Sequence, residues 1–320
     1  MNLKTGLLGL LCLTAAVTAH AESWPTRPIR IFIPSAPGSP PDVMARPIAD
    51  KLGKMWKQSV VVENKPGASG IIGMTAFKQA PDEEYAFALV QAAVIAITPH
   101  LFKDPQFNVE ADMVPVALIG KGPMIIVANN NFAANTVADF FQQAKKAGTP
   151  INVAVNGQYS VPYLAAEIVK KAGSLNLNIV PFGSSAAALS AVINGDAQIL
   201  LDGVPGVQPM VNAKRVKPLA VTSAARLDST PDIPALAELV PGLEINGWFV
   251  LFARKGTSQA VIERVNRDVN TVIGQTDIVT RMADLGVVPQ ALSLAQVKDF
   301  IADETQKWGS VLKTADIPLR

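Results

Sequence analysis

Short runs rich in β-branched and aliphatic residues alternate with longer stretches of helical period along almost the whole chain. That alternation limits the fold more than any other feature. Strand-like runs lie at 29–33, 60–63, 85–90, 124–128, 151–155, 177–180, 198–201, 218–221 and 248–253. Between them, Val137, Phe140, Phe141 and Ala144 share one face of a helix that opens at Thr136 and Asp139. It carries Lys145 and Lys146 in its last turn and stops at Gly148. Val261, Val265, Val269 and Val272 form a second apolar stripe, and Val297, Phe300, Ile301, Trp308 and Leu312 a third. Such alternation requires a parallel or mixed sheet covered by helices on both faces, an α/β fold. A chain of 320 residues is long enough for two lobes. With no repeat, low-complexity tract or obvious linker, strand ends would have to join them.

The first residues read as an export signal. Lys4 precedes an apolar run over 7–17, too short to span a bilayer, and Ala19-His20-Ala21 has the small-x-small pattern of a cleavage site. Cleavage after Ala21 makes 1–21 a signal peptide and Glu22 the first mature residue. Leu11 before Cys12 argues against lipid attachment. Cys12 is the sole cysteine, so the mature chain holds itself together by burial, without disulfides. Loss of Lys4 leaves 27 basic against 26 acidic residues. With no basic stripe, helix-turn-helix or zinc-ligand spacing, nucleic acid is not a partner.

Catalytic patterns are scarce. His100 is the single histidine left after cleavage, and no cysteine nucleophile remains. There is no nucleophile elbow, phosphate loop or dinucleotide fingerprint, and the Gly67, Gly70, Gly73 spacing suits a strand-to-helix turn instead. Glu83-Glu84 falls in a polar turn after Pro81-Asp82, where a solvated face is expected. No catalytic residue, cofactor or metal is expected.

Three strand-to-helix junctions rich in small and polar residues remain. The first contains Ser35, Ala36, Pro37, Gly38, Ser39, Pro40 and Asp42; Ser39 is placed to cap a helix with Pro40 in its first turn. A helix beginning there points unpaired amides back into the loop, where an anion can sit, although the prolines remove donors. The second contains Asn156, Gln158, Tyr159, Ser160, Val161 and Tyr163, with Ser160 as cap. The third leads through Ser184 and Ser185 into a helix ending at Asn194-Gly195. One such junction serves the fold alone; three in one chain point to a ligand cleft. A micromolar complex needs about −8 kcal/mol. Four or five donors at roughly 1.5–3 kcal/mol each supply that without an arginine clamp.

At these motifs the chain resembles the Bug family, periplasmic receptors of tripartite tricarboxylate transporters. The resemblance runs from Trp24 to the C-terminus. It is carried by Trp24-Pro25-Thr26-Arg27-Pro28-Ile29-Arg30, Ala36-Pro37-Gly38 with Asp42 and Arg46, and Val62-Glu63-Asn64-Lys65-Pro66-Gly67-Ala68. It continues through Leu164-Ala165-Ala166-Glu167, Asn194-Gly195-Asp196, Leu219-Ala220-Val221-Thr222-Ser223, Pro231-Asp232-Ile233-Pro234 and Asn246-Gly247-Trp248. The resemblance implies a two-lobed Venus-flytrap fold with ligand between the lobes, the first spanning 22–126 plus 248–320 and the second 127–247. It also implies a periplasmic monomer that grips a small organic carboxylate through amides and hydroxyls and presents it to integral membrane subunits. The implied ligand loops match 35–42 and 156–163, with Ser184, Ser185 and Asp202 added on closure and Gln91 and Ala92 lining the first lobe.

Departures from the family pattern bear on the ligand. Ser35, Ser39-Pro40, Glu83 and Gly183 stand where the family often has other residues, and Tyr159, Pro162 and Tyr163 replace small residues and a histidine. Two tyrosines opposite an emptied corner at Ser35 suit an aromatic acid such as a phthalate-type diacid; the alternative is that both only support the hinge or lobe surface. A receptor feeding a membrane sensor kinase would show the same sequence. A periplasmic hydrolase or isomerase would need His100 or a carboxylate pair at the cleft.

Overall fold

The computed structural model describes residues 24–158 and 160–314. The expected signal peptide and Tyr159 lie outside the described residues. Strands β1 (Ile29–Ile33), β2 (Val60–Asn64), β3 (Ala86–Gln91), β4 (Met113–Asn129), β5 (Ile151–Asn156), β6 (Leu177–Phe182), β7 (Ile199–Gly203), β8 (Val216–Val221), β9 (Asn246–Arg254) and β10 (Val288–Pro289) form a mixed sheet. Helices are α1 (Pro40–Trp56), α2 (Ile71–Lys78), α3 (Thr98–Leu101), α4 (Val109–Asp112), α5 (Val137–Lys146), α6 (Val161–Gly173), α7 (Ser185–Asn194), α8 (Val204–Asn212), α9 (Gln259–Ile273), α10 (Thr276–Asp284) and α11 (Leu294–Thr314). The strand order is β2-β1-β3-β9-β4-β7-β5-β6, with β8 and β10 also paired to β4. All nine strand-like runs are strands.

The 17-residue β4 organises this sheet. From Met113 to Pro123 it pairs antiparallel with β9, and from Met124 onward with β7 and β8. Along it, Leu118, Met124, Ile126 and Ala128 face one hydrophobic cluster, while Ala117 and Ile119, then Ile125 and Val127, face two others. This is the period-2 alternation of a strand covered on both faces. The first cluster continues across the change of partners, from Val90 and Trp248 to Leu164 and Leu201. Glycine at 120 is obligatory for close packing: a Cβ there would lie 2.6 Å from the Val288 carbonyl oxygen of β10.

Thr222 clamps the change of partners. It is fully buried; its hydroxyl accepts from the Met124 amide at 2.9 Å and donates to the Ile245 carbonyl at 2.6 Å. Its own amide and carbonyl bond Met124 and Ile245, so one residue ties β4 to the chain entering β9. The indole N–H groups of Trp248 and Trp308 both donate to Glu304 Oε2, at 2.8 and 2.9 Å, fastening α11 over β9. No helix among the described residues is long and apolar enough to cross a membrane.

Thr136 and Asp139 form the expected capping box on α5, and Ser160 caps α6 by accepting from the Tyr163 amide at 3.2 Å. Ser39 occupies the cap position of α1, but its hydroxyl makes no cap bond and turns to Ser35 Oγ at 3.1 Å. Pro41 removes one of the amides a cap would bind. Asp42 likewise bonds the Gly38 amide, at 2.8 Å.

Replacement of Thr222 by Val keeps the shape and strands the Met124 amide and the Ile245 carbonyl. Urea unfolding of Thr222→Val is expected to show a loss of about 1–3 kcal/mol with an unchanged m-value.

Candidate functional site

Strands β1, β2 and β3 are mutually parallel, as are β5, β6 and β7. Segments leaving the carboxyl ends of both groups meet around one cavity of about 320 Å³, the place where open α/β sheets hold ligands. After β1 come Pro34 and Ser35; after β2, Pro66, Gly67, Ser69 and Gly70; at and after β3, Gln91, Ala93, Val94, Ile97, Thr98, Leu101 and Phe102. Gln158 and Ser160, following β5, complete the lining from the other group.

A hydrogen-bond network shapes the first loop. Asp42, buried in the first turn of α1, accepts from the Gly38 amide and from Arg46 at 2.7 Å. Arg46 also donates to Asn64 Oδ1 at 3.0 Å, and Asn64 donates to the Ser35 carbonyl at 3.1 Å. Burial opposes the charge of Asp42, but Arg46, the Gly38 amide and Asn64 outweigh it and hold its carboxyl below the ordinary aspartate value. The Ser39 amide bonds the Ala36 carbonyl. With the Gly38 amide also taken by Asp42 and none at Pro37, this loop has fewer open donors than its length suggests, and those of Ser35 and Ala36 remain. Gly73 lets α2 approach the loop; a Cβ there would lie 2.6 Å from Pro34 Cα.

In the second group of strands, Asn156 Nδ2 donates to Ser185 Oγ at 2.7 Å and to Asp202 Oδ1 at 2.8 Å. The same Asp202 oxygen accepts from the Gly203 amide at 2.8 Å, whereas its buried Oδ2 has no partner among the described residues. Burial pushes the Asp202 carboxyl above the ordinary aspartate value, against the opposing pull of Ser185 and the Gly203 amide.

Of the residues singled out from sequence, Ser35, Gln91, Gln158 and Ser160 line this cavity. Asn156, Ser185 and Asp202 form the separate cluster, and Ser184 caps α7 by accepting from the Ala187 amide. Ala36, Pro37, Gly38 and Pro40 are exposed on the first loop, and Ala92 is buried. Val161 and Tyr163 pack partly buried against the core. Sequence reasoning missed Asn64, the segment 66–70 and the wall over 93–102. The glycines of 66–70 were legible only as a turn. The run over 93–97 carries no polar residue to mark it, yet Ala93–Ile97 forms a π-helical turn, a form often found at functional sites.

His100 does not line this cavity. It lies in a separate groove of about 1140 Å³ beneath α11, beside Thr305 and Gly309. Burial first, and Lys313 second, hold its imidazole below the ordinary histidine value. Glu83 is exposed near Arg254, 3.8 Å away. Among the described residues no group of three acidic, histidine or cysteine side chains is arranged to hold a metal ion.

The family model described as tripartite tricarboxylate transporter family receptor matches residues 44–317. BugT of Bordetella pertussis is 29% identical, with 100% of this chain and 99% of that protein aligned. Among solved structures, Rpa4515 of Rhodopseudomonas palustris with adipate superposes with a TM-score of 0.78 at 27% identity, covering 93% of this chain and 100% of that one. MatC from the same organism, with bound malate, gives a TM-score of 0.72 at 25% identity over 90% of this chain and 99% of that one.

Replacing Asp202 by Asn removes a carboxyl that the native fold keeps protonated beyond its unfolded value of about 3.9. Below that value both states hold the proton. Above it the unfolded chain releases the proton first, so this group penalises the native state increasingly until pH passes its raised native value. Urea titrations between about pH 3 and 8 are expected to show the stability of Asp202→Asn gaining on wild type as pH rises. A constant difference would contradict the assignment.

Proposed function

The chain belongs to the tripartite tricarboxylate transporter receptor family, and from that premise we propose that it captures a small organic carboxylate in the periplasm and presents it unaltered to integral membrane subunits of a transporter. The observation that carries this reading is the cavity shared by two groups of parallel strands: Ser35 and Gln91 face it from one, Gln158 and Ser160 from the other. Relatives solved with adipate and with malate support an organic acid as the ligand class.

We take the two groups as lobes of about 22–126 with 248–320 and about 127–247, hinged close to where β4 changes partners between Pro123 and Met124, a few residues from those bounds. A ligand that touches both lobes only when they approach shifts the equilibrium toward the closed form by its difference in affinity for the two states. Membrane subunits would then read the closed form of a monomer. Release without chemistry agrees with the site: His100 lines another groove, and the carboxyl of Asp42 is engaged by Arg46 and the Gly38 amide.

Thermal unfolding of protein first unfolded and refolded to strip copurified ligand, screened over mono-, di- and tricarboxylates, tests the reading. A true ligand at 100 times its dissociation constant is expected to stabilise by about 2.7 kcal/mol, and to be recovered unchanged. Turnover of the bound acid, or no response to any carboxylate, would refute it. Asp42→Ala, which frees the Gly38 amide and unties Arg46 from the loop, is expected to weaken the best acid roughly tenfold or more, about 1.4 kcal/mol.

A further inference from the structure

The cavity is divided in character, and the division bears on which acid it takes. Hydroxyl and amide groups of Ser35, Ser69, Gln91, Gln158 and Ser160 supply its polar lining. The wall built by the π-helical turn, α3 and the residue that follows it presents Val94, Ile97, Leu101 and Phe102. The Thr98 hydroxyl within that wall is occupied, donating toward the Ser69 and Ala93 carbonyls at 3.0 and 3.2 Å. Among the described residues no charged side chain of either sign lines the cavity.

Nearby cations do not supply the missing charge. Arg46 is half-exposed and tied to Asp42 and Asn64. Lys65 and Lys103 adjoin lining segments in the chain, but both are exposed and neither lines the cavity. The ionisable group at the Asn156–Ser185 cluster, Asp202, is itself an acid. One carboxylate can be satisfied by the polar donors, since hydrogen bonds to a charged group are strong without a counter-charge. A second, pressed against Val94, Ile97, Leu101 and Phe102, would be stripped of water with nothing to replace it.

Resting on the acid-binding reading above, we infer that the preferred ligand is a monocarboxylate with an apolar body, its head group on Ser35, Gln158 and Ser160 and its tail on the wall of Val94, Ile97, Leu101 and Phe102. Each methylene that reaches the wall tightens binding by roughly three- to fourfold.

Two matched pairs test this by isothermal titration of the refolded full chain: hexanoate against adipate, and benzoate against phthalate. Each pair differs by one carboxylate. Expected is at least tenfold tighter binding of the monoacid in at least one pair, with affinity rising from butyrate to hexanoate. Diacids binding as tightly as their partners, or a flat chain-length series, overturn this inference while leaving acid capture intact. If neither these acids nor any other carboxylate in the wider screen binds, both readings fall.

Discussion

Every other feature of the molecule depends on the backbone of β4 staying paired along its whole length while its partners change. Up to Pro123 it is bonded to β9, and from Met124 to β7 and β8. Unpaired amides at that point would be buried, because side chains cover both faces. Thr222 removes the problem by bonding Met124 through both backbone and hydroxyl and passing the connection to Ile245. The junction is therefore satisfied where β4 passes from one group of strands to the other.

From that frame the site follows. Parallel strands end on the same edge, so the loops after β1, β2, β3 and β5 converge without any one of them being long. The first loop is held by side chains that do not line the cavity: Asp42, Arg46 and Asn64 form a relay from the Gly38 amide to the Ser35 carbonyl. Such bracing holds the loop in one arrangement, so less conformational entropy remains to be lost in any contact it makes. The same relay engages the charge of Arg46, and the described residues that line the cavity carry none.

Much of this was legible in the chain, and what was not shares a cause. All nine strand-like runs are strands, and the caps at Thr136 and Ser160 form as their spacing implies. The first part of β4 escaped notice because Pro115, Gly120, Gly122 and Pro123 break the local signal. Pro115 lies at a bulge, and Gly120 is required by the close approach of β10, a contact some 170 residues distant along the chain. Ser39 was misread in detail because a cap is a local inference, while its hydroxyl finds Ser35 across the loop.

The candidate site divides along the same line. Ser35, Gln91, Gln158 and Ser160 were identifiable as polar residues at strand ends, and they meet in one cavity. The wall over 93–102 was not, since a run of Ala, Val and Ile reads the same whether it faces core or cavity. The sequence by itself determined the alternation of elements, their caps and the supply of small polar residues at strand ends, because these follow from periodicity and local hydrogen bonding. Only the tertiary structure decided which ends face one another, which cation is neutralised and which apolar residues border the cavity, because those depend on contacts between segments far apart in the chain.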